Sequence, residues 1–597
     1  MKRLLLLVVM LLAVTASNRS MAGDYSGQLT ITGGMNGLPP FFNAGDSCDT
    51  TVDYNCQATK AATAANKAAA KRGECDPYVN FKCLDAYLGD DPVTRLIRYY
   101  QLEWGHAVPP SDPTAPPSTR AEPAQWPTSP ETSPPMPFTE WPYGGTTLLG
   151  VNRTGSVDSP LMVSIANTEV GKWMNANGIQ VYGWVDPAGN ISSNTVKQGG
   201  NLPVSYDYTP NVIQLDQAVV YVERTPDTVQ TDHVDWGFRV SPIYGVDYRY
   251  TFAYGLFSKT LNVQNDVNGF DIPMAYAEIF VPQIAQGTMI RIGRFISLPD
   301  IEAQLAPNNY SYVHSLTYTW DNYTNTGIQI NSAVTKNWIA QLGVTVGTEA
   351  MPWHWGNHIP NPDPGALTNP LYPGTTMLKD PGAMPSLTVG LRWTSDDGKD
   401  DLNITADAWN QGIWGYNNLQ WVGFTYYHKF NDYWHFAFET WNIHEYDVPN
   451  LNNPIAAGIM AAGGTPFSAA PGQLFFNGPD AAFCGGNLPG NPTPLTCTAD
   501  EQTFLLYVNY SPNKLNNFSL RTEFFMDPEG QRTGTPTNYA DVALSWQHWF
   551  SPQVEIRPEI GYYRSLTEPA FNGNSAEGIA PSRDWAVIAA SDIIWHF

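Results

Sequence analysis

The chain has 597 residues, with 31 Lys and Arg against 55 Asp and Glu, a formal net charge of −24. Only 14% of residues are charged, where about 25% is usual in soluble domains, and that argues against bundles and coiled coils, which are rich in Ala, Glu, Lys, Leu and Arg. An acidic chain poor in basic residues also lacks the electrostatic footprint that nucleic acid requires, and no apolar run reaches the roughly 20 residues of a membrane-crossing helix.

Lys2 and Arg3 precede an apolar run at 4–14, and small residues follow up to Ser20-Met21-Ala22. That is the pattern of a signal peptide over 1–22. Its removal takes away Lys2, Arg3 and Arg19 and no acid, leaving 28 basic residues against 55 acidic ones and a charge of −27. Export permits disulfides. The segments CDTTVDYNC (48–56) and CDPYVNFKC (75–83) flank an Ala/Lys-rich stretch at 57–71, a good helix former. A disulfide-stapled helical module over 23–107 is expected, using Cys48, Cys56, Cys75 and Cys83 in one of three connectivities. Zinc sites favour tighter Cys pairs than these. Cys484 and Cys497 close a short Gly/Pro-rich loop and form a third candidate disulfide. No CxxCH motif is present, so no attached haem is expected, and the sequence suggests no cofactor.

Residues 108–142 carry a dozen prolines and read as an extended linker. A lead-in segment, 143–177, contains a helix-like stretch at 159–175 with Leu161, Met162, Ile165, Val170 and Trp173 on one face. From 178 to 597 the period changes to two. In LQWVGFTYYHKF (419–430) Val422, Phe424, Tyr426 and Phe430 share one phase. After Asn431-Asp432, Trp434, Phe436 and Phe438 alternate with His435 and Glu439, as in a two-residue hairpin. Sixteen strands are expected, starting near 178, 212, 233, 271, 288, 325, 338, 386, 402, 419, 433, 502, 518, 540, 553 and 584. Connectors alternate between short and long. Short turns on one side, long loops on the other and an even strand number are the signature of an all-β, transmembrane antiparallel β-barrel. Trp and Tyr girdles at both interfaces account for the aromatic content, and sixteen strands leave a lumen wide enough for water.

The polar phase of these strands gives lumen-facing candidates: Glu223, Arg239, Arg249, Glu278, Arg291, Arg392, Glu439, Arg521, Glu523, Arg557 and Glu559. Opposed across a pore, the two signs would set a transverse field; on neighbouring strands they would pair. Alternation leaves both readings open. The last strand, DWAVIAASDIIWHF, carries Trp585, Val587, Ala589, Ile593 and Trp595 in one phase and ends at Phe597, which fits an outer-membrane assembly signal.

Two blocks resemble the outer-membrane β-barrel porin family described as OmpL-like. The first has Glu223-Arg224, Pro226-Asp227, Trp236, Gly237-Phe238-Arg239-Val240, Tyr244-Gly245, Asp247 and Arg249. The second has Gly293-Arg294-Phe295, Glu302, Ala306-Pro307, Asn309-Tyr310-Ser311-Tyr312, His314-Ser315 and Thr324-Asn325-Thr326-Gly327. The resemblance implies a porin-like channel in the outer membrane of a diderm bacterium. The loop after Phe295 has few charges and many Asn, Tyr and Thr. An inward fold would narrow the pore, with Glu302, Asn309, Tyr310, Tyr312 and His314 as constriction candidates, and deleting 306–319 should then raise conductance.

Catalytic and metal readings are weak. His354 and His358 have i, i+4 spacing, but Pro352, Trp353, Trp355 and Gly356 favour a loop. No GxSxG, P-loop or HExxH motif occurs, and no serine nucleophile can be matched to His435 or His548. The expected function is a porin, not an enzyme, passing ions and small hydrophilic solutes with a weak cation preference. The alternative is a non-conducting or plugged barrel that binds at the surface or tethers the envelope. Expected partners are outer-membrane lipid and lipopolysaccharide, the barrel-assembly machinery and the solutes themselves, with no nucleic acid; a homo-oligomer is compatible with this reading.

Overall fold

The computed structural model describes residues 88–103 and 159–597, less short loop stretches, the longer ones being 261–265, 361–376, 411–418, 462–480 and 486–492. The expected signal peptide, the four N-terminal cysteines, the proline-rich linker and Asp227 lie outside the described residues. The chain divides into two compact units, one holding the described residues up to Gln180 and the other running from Val181 to Phe597.

The first unit contains α1 (Pro92–Glu103), α2 (Pro160–Ile165) and α3 (Glu169–Ala176). The single helix expected over 159–175 is therefore two. The Thr168 hydroxyl accepts from Gly171 N at 3.0 Å and starts a new helix, as an N-cap does. Restarting rotates the buried face: Val163, Ser164, Gly171 and Met174 are buried, while Val170 and Trp173, expected inside, are exposed. A side chain at Gly171 would lie 2.0 Å from the Ile165 carbonyl oxygen, so the close helix–helix turn requires glycine there.

The second unit is a closed antiparallel barrel of sixteen strands. They are β1 (Ile179–Ser192), β2 (Ile213–Arg224), β3 (Asp235–Gly245), β4 (Gly269–Val281), β5 (Thr288–Ile296), β6 (Thr324–Ala333), β7 (Trp338–Thr348) and β8 (Ser386–Thr394). Then follow β9 (Asp400–Trp409), β10 (Gln420–Lys429), β11 (Trp434–Pro449), β12 (Thr496–Asn513), β13 (Asn516–Asp527), β14 (Thr537–Ser551), β15 (Val554–Ile556 with Glu559–Ser565) and β16 (Trp585–His596). Every strand start falls within a few residues of its expected position except that of β12, which begins earlier, at Thr496. β15 is interrupted at Pro558, which has no N–H to give the ladder. β1 closes the ring on β16, with Trp184 opposite His596, and Gly183 and Phe597 exchange backbone hydrogen bonds at 3.1 and 2.8 Å. Closure leaves no unpaired edge, as a bilayer demands.

The alternation of connectors holds. Residues 282–287, 334–337, 395–399, 430–433, 514–515 and 552–553 link strands at one end, joined by the longer 225–234. Loops such as 193–212, 297–323, 349–385 and 450–495 lie at the other. The turn at Asn431 is one residue longer than a two-residue hairpin: Phe430 N donates to Trp434 O, and Asn431 Oδ1 accepts from Tyr433 N and Trp434 N. At the short-turn end, Trp434 packs on Tyr510 (4.6 Å between ring centres) and Phe518 on Trp546 (6.1 Å), an interfacial aromatic girdle. Outward apolar residues such as Leu342, Val344, Ile404, Leu544 and Ile560 are exposed to the lipid side, and their neighbours in sequence are buried. Cys484 in the loop 450–495 is joined by a disulfide to Cys497 at the start of β12.

Candidate functional site: the barrel interior and its inward loop

All eleven lumen-facing candidates are buried, the most accessible being Glu559 at 6%. Ten stand on strands or, for Arg557, in the break of β15. Arg249 does not: β3 ends at Gly245 (φ +149), and Arg249 lies on the 3-10 turn Val246–Tyr250, where its Nη2 donates to Asp266 O at 2.7 Å. Strand alternation carried past that glycine is the reason for the misplacement.

Most interior charges pair between adjacent strands, not across the ring. Arg239 meets Glu223 at 2.7 Å, Arg291 meets Glu278 at 2.7 Å, and Arg392 meets Asp401 at 2.6 Å. Arg557 forms an ion pair with Asp592 on β16. Arg521 lies among Glu559 (3.3 Å), Asp541 (3.6 Å) and Glu302 (3.9 Å). Arg294, buried against Asp271 at 3.0 Å, was missed by phase counting. The reason is Gly293, whose φ of +139 suits only glycine and after which burial stops alternating. Asp401, Asp271 and Asp592 were missed as partners, although each stands on the strand next to its arginine.

The loop 297–323 crosses into this interior. Three wall glutamates accept from its backbone: Glu439 on β11 from Ile301 N (2.8 Å), Glu559 on β15 from Val313 N (3.0 Å), and Glu523 on β13 from Leu316 N (2.9 Å) and Thr317 N. Arginines take its carbonyls: Arg557 those of Ala306 and Asn309, Arg521 that of Val313, and Arg532 those of Trp320 (2.7 Å) and Asp321 (2.9 Å). On β2, Gln217 accepts from Ala306 N (3.1 Å).

The five constriction candidates are all buried. Glu302 accepts from Ser315 N (2.9 Å) and from the Tyr507 hydroxyl. Asn309 staples the loop to itself through both backbone groups of Ala303. Tyr310 packs on Tyr507 and His435, with ring centres 5.3 and 5.6 Å away. The Tyr312 hydroxyl donates to Asp216 on β2 (2.7 Å), and His314 Nε2 meets Ala303 O (2.7 Å) and stacks on Tyr206. Burial drives the His314 pKa down to about 3, so the ring is neutral. In the neighbouring loops, burial raises Asp207 well above the usual carboxylate range and Asp247 to about 7.

Buried acids that form no ion pair among the described residues include Asp186, Asp207, Asp216, Asp247, Glu445, Glu501, Glu523 and Asp527. A cluster the sequence did not reveal joins the loop to the wall. One carboxylate oxygen from each of Asp300, Asp321 and Glu439 lies within 4.8 Å of the other two.

A closed sixteen-stranded barrel, apolar outside, charged within and crossed by one inward loop, is the architecture of a porin-type transmembrane barrel. The chain belongs to the family described as putative beta-barrel porin-2, OmpL-like, whose model matches residues 178–591. Among solved structures it is similar to an anion-selective porin from Comamonas acidovorans, at 8% identity over 70% of this chain and 99% of that one, with a TM-score of 0.42. It is also similar to the outer-membrane channel DcaP of Acinetobacter baumannii, at 9% identity over 70% and 97%, with a TM-score of 0.39. A trimer form of OmpT from Vibrio cholerae gives 9% identity over 70% and 99%, with a TM-score of 0.39. No curated protein matches the chain.

Proposed function

We propose that this protein is an outer-membrane channel for the diffusion of ions and small hydrophilic solutes, and not an enzyme, with its narrowest part set by the loop 297–323. The observation that carries this reading is the division of the interior. The loop takes most of its anchors from β2 and β11–β15. On β6, β7, β9 and β10, the inward residues Gln329, Gln341, Thr345, Thr405 and Thr425 hold side-chain atoms with no protein partner. An inner wall of polar side chains, not of apolar ones, is what a path for hydrophilic solutes requires. A weak cation preference is supported by the charge balance. The interior strand arginines are each paired with an acid, while on the strands Asp186, Asp216, Glu445, Glu501, Glu523 and Asp527 have no such pair among the described residues. The field of such a surplus favours cations and weakens with salt.

This reading also implies lipid and lipopolysaccharide around the wall, assembly by the barrel-insertion machinery, and compatibility with a homo-oligomer. The test is single-channel recording in planar bilayers, with a reversal potential under a KCl gradient, on the full chain and on a form lacking 23–142. Steps from the full chain, a cation-selective reversal potential and larger steps after deletion of 306–319 are expected. Silence from both forms would overturn the channel reading. Steps from the truncated form alone would show a plugged barrel instead.

A further inference from the structure

The strongest unexplained feature of the interior is the carboxylate cluster at the root of the inward loop. Asp300 opens the loop, Asp321 closes it, and Glu439 stands on β11. All three are buried, at 6%, 0% and 1% exposure. Each carries a buried oxygen that accepts from no N–H or hydroxyl, only its fellow carboxylates lying near it: Asp300 Oδ1, Asp321 Oδ2 and Glu439 Oε1. The remaining oxygens of two of them are engaged by backbone, Glu439 Oε2 by Ile301 N at 2.8 Å and Asp321 Oδ1 by Asn322 N at 2.6 Å. Several buried acids of the wall, among them Glu223, Glu278, Asp271, Asp401 and Asp592, are each met by an arginine of a neighbouring strand. Here Arg532 donates to the carbonyls of Trp320 and Asp321, and none of the three carboxylates forms an ion pair among the described residues. Three carboxylates withdrawn from water together, with Arg532 as the one cation beside them among the described residues and no ion pair to it, are strongly unfavourable.

We propose that Asp300, Asp321 and Glu439 bind one divalent cation of the calcium class, which ties both ends of the inward loop to the wall strand β11. The donor set is all oxygen, which selects a hard cation and not zinc or copper. The spacing fits as well. Ligands on opposite sides of a calcium ion at about 2.4 Å are about 4.8 Å apart, the span within which the three oxygens lie. Magnesium, at about 2.0–2.1 Å, would need the cluster to contract. One divalent ion cancels most of the local charge and supplies the unbonded oxygens with a partner. It binds residues at the start and the end of the loop, so the clasp holds the whole segment.

The site is a property of the folded protein, so it is tested without a membrane current, and the result stands apart from whether the barrel conducts. The full-length protein, purified in detergent and stripped with chelator, is titrated with calcium chloride alone by calorimetry or equilibrium dialysis. One saturable site is expected. Asp300→Asn/Asp321→Asn should weaken it about tenfold or more, since affinity follows ligand charge. Glu439→Gln keeps an acceptor for Ile301 N–H, so it separates charge from packing and should also weaken binding. Asp397→Asn, on an exposed turn, should leave it unchanged. Retention of the heat-modifiable folded band verifies each variant. No saturable binding to the wild type, or equal binding by wild type and the folded Glu439→Gln variant, overturns the proposal.

Discussion

Glu523 offers the sharpest test of how the inward loop is held. Its two oxygens accept from Leu316 N and Thr317 N, both buried with their residues. Glu523→Ala leaves two buried donors without acceptors. Each costs about 1–3 kcal/mol, so the docked loop loses about 2–6 kcal/mol against an undocked loop whose amides meet water. Even about 2 kcal/mol changes the docked-to-undocked ratio roughly thirtyfold. Glu559→Ala removes the acceptor of Val313 N alone, for about 1–3 kcal/mol. Arg521 then keeps Asp541 and Glu302 as partners. Open-channel noise and time spent at a larger conductance level should rise from wild type to Glu559→Ala to Glu523→Ala. Glu523→Gln, which retains one acceptor, should fall between wild type and Glu523→Ala. The measurement is single-channel recording on variants that keep the folded band. A folded Glu523→Ala that is indistinguishable from wild type, or that perturbs less than Glu559→Ala, would refute the reasoning.

Two other outcomes follow from buried charge. Arg392→Met leaves Asp401 buried and uncompensated, which should cost about 3–5 kcal/mol. The loss should be read as a lower midpoint of thermal unfolding, and Arg392→Met/Asp401→Asn should recover most of it. The pH dependence has a definite sign at Asp247. Burial raises its pKa to about 7, above the roughly 3.9 of an unfolded chain, so the folded state holds this proton more tightly. Its contribution is complete below about pH 4 and is lost as pH rises through about 7. The unfolding midpoint should therefore fall more steeply over that range in wild type than in Asp247→Asn, and parallel slopes would count against the assignment.

What was legible in the sequence follows from what alternation encodes. Each strand presents one face to lipid and one to the interior, so apolar phase and turn length fix strand number, strand position and the inward set. Glu223 with Arg239 and Glu278 with Arg291 could be found in this way because they lie in uninterrupted strand. Glycines with positive φ marked the limits. Gly245 ended β3 before Arg249, and Gly293 turned Arg294 inward against the count. The helix at 159–175 failed similarly, since the Thr168 cap divides it and changes the buried face. The carboxylate cluster had no local signal at all. Ile301, next to Asp300, reaches Glu439 across 138 residues of sequence, and only the inward course of the loop brings them together.

The chain's low charge and large negative balance have a common structural cause. Lipid disfavours charge on the outer face of a strand, so most strand charges collect inside, where burial is tolerable only with partners. Arginine serves there as a staple between adjacent strands and as a donor to the loop's carbonyls, as Arg521 and Arg557 each do both. Every arginine used in this way is neutralised locally and adds nothing to the long-range field. The acids are more numerous, and several of them, together with the cluster at Asp300, Asp321 and Glu439, pair with no arginine among the described residues. Positive charge therefore builds the wall and holds the loop, while the unpaired acids are the groups that the proposed bound cation and the proposed cation preference call on.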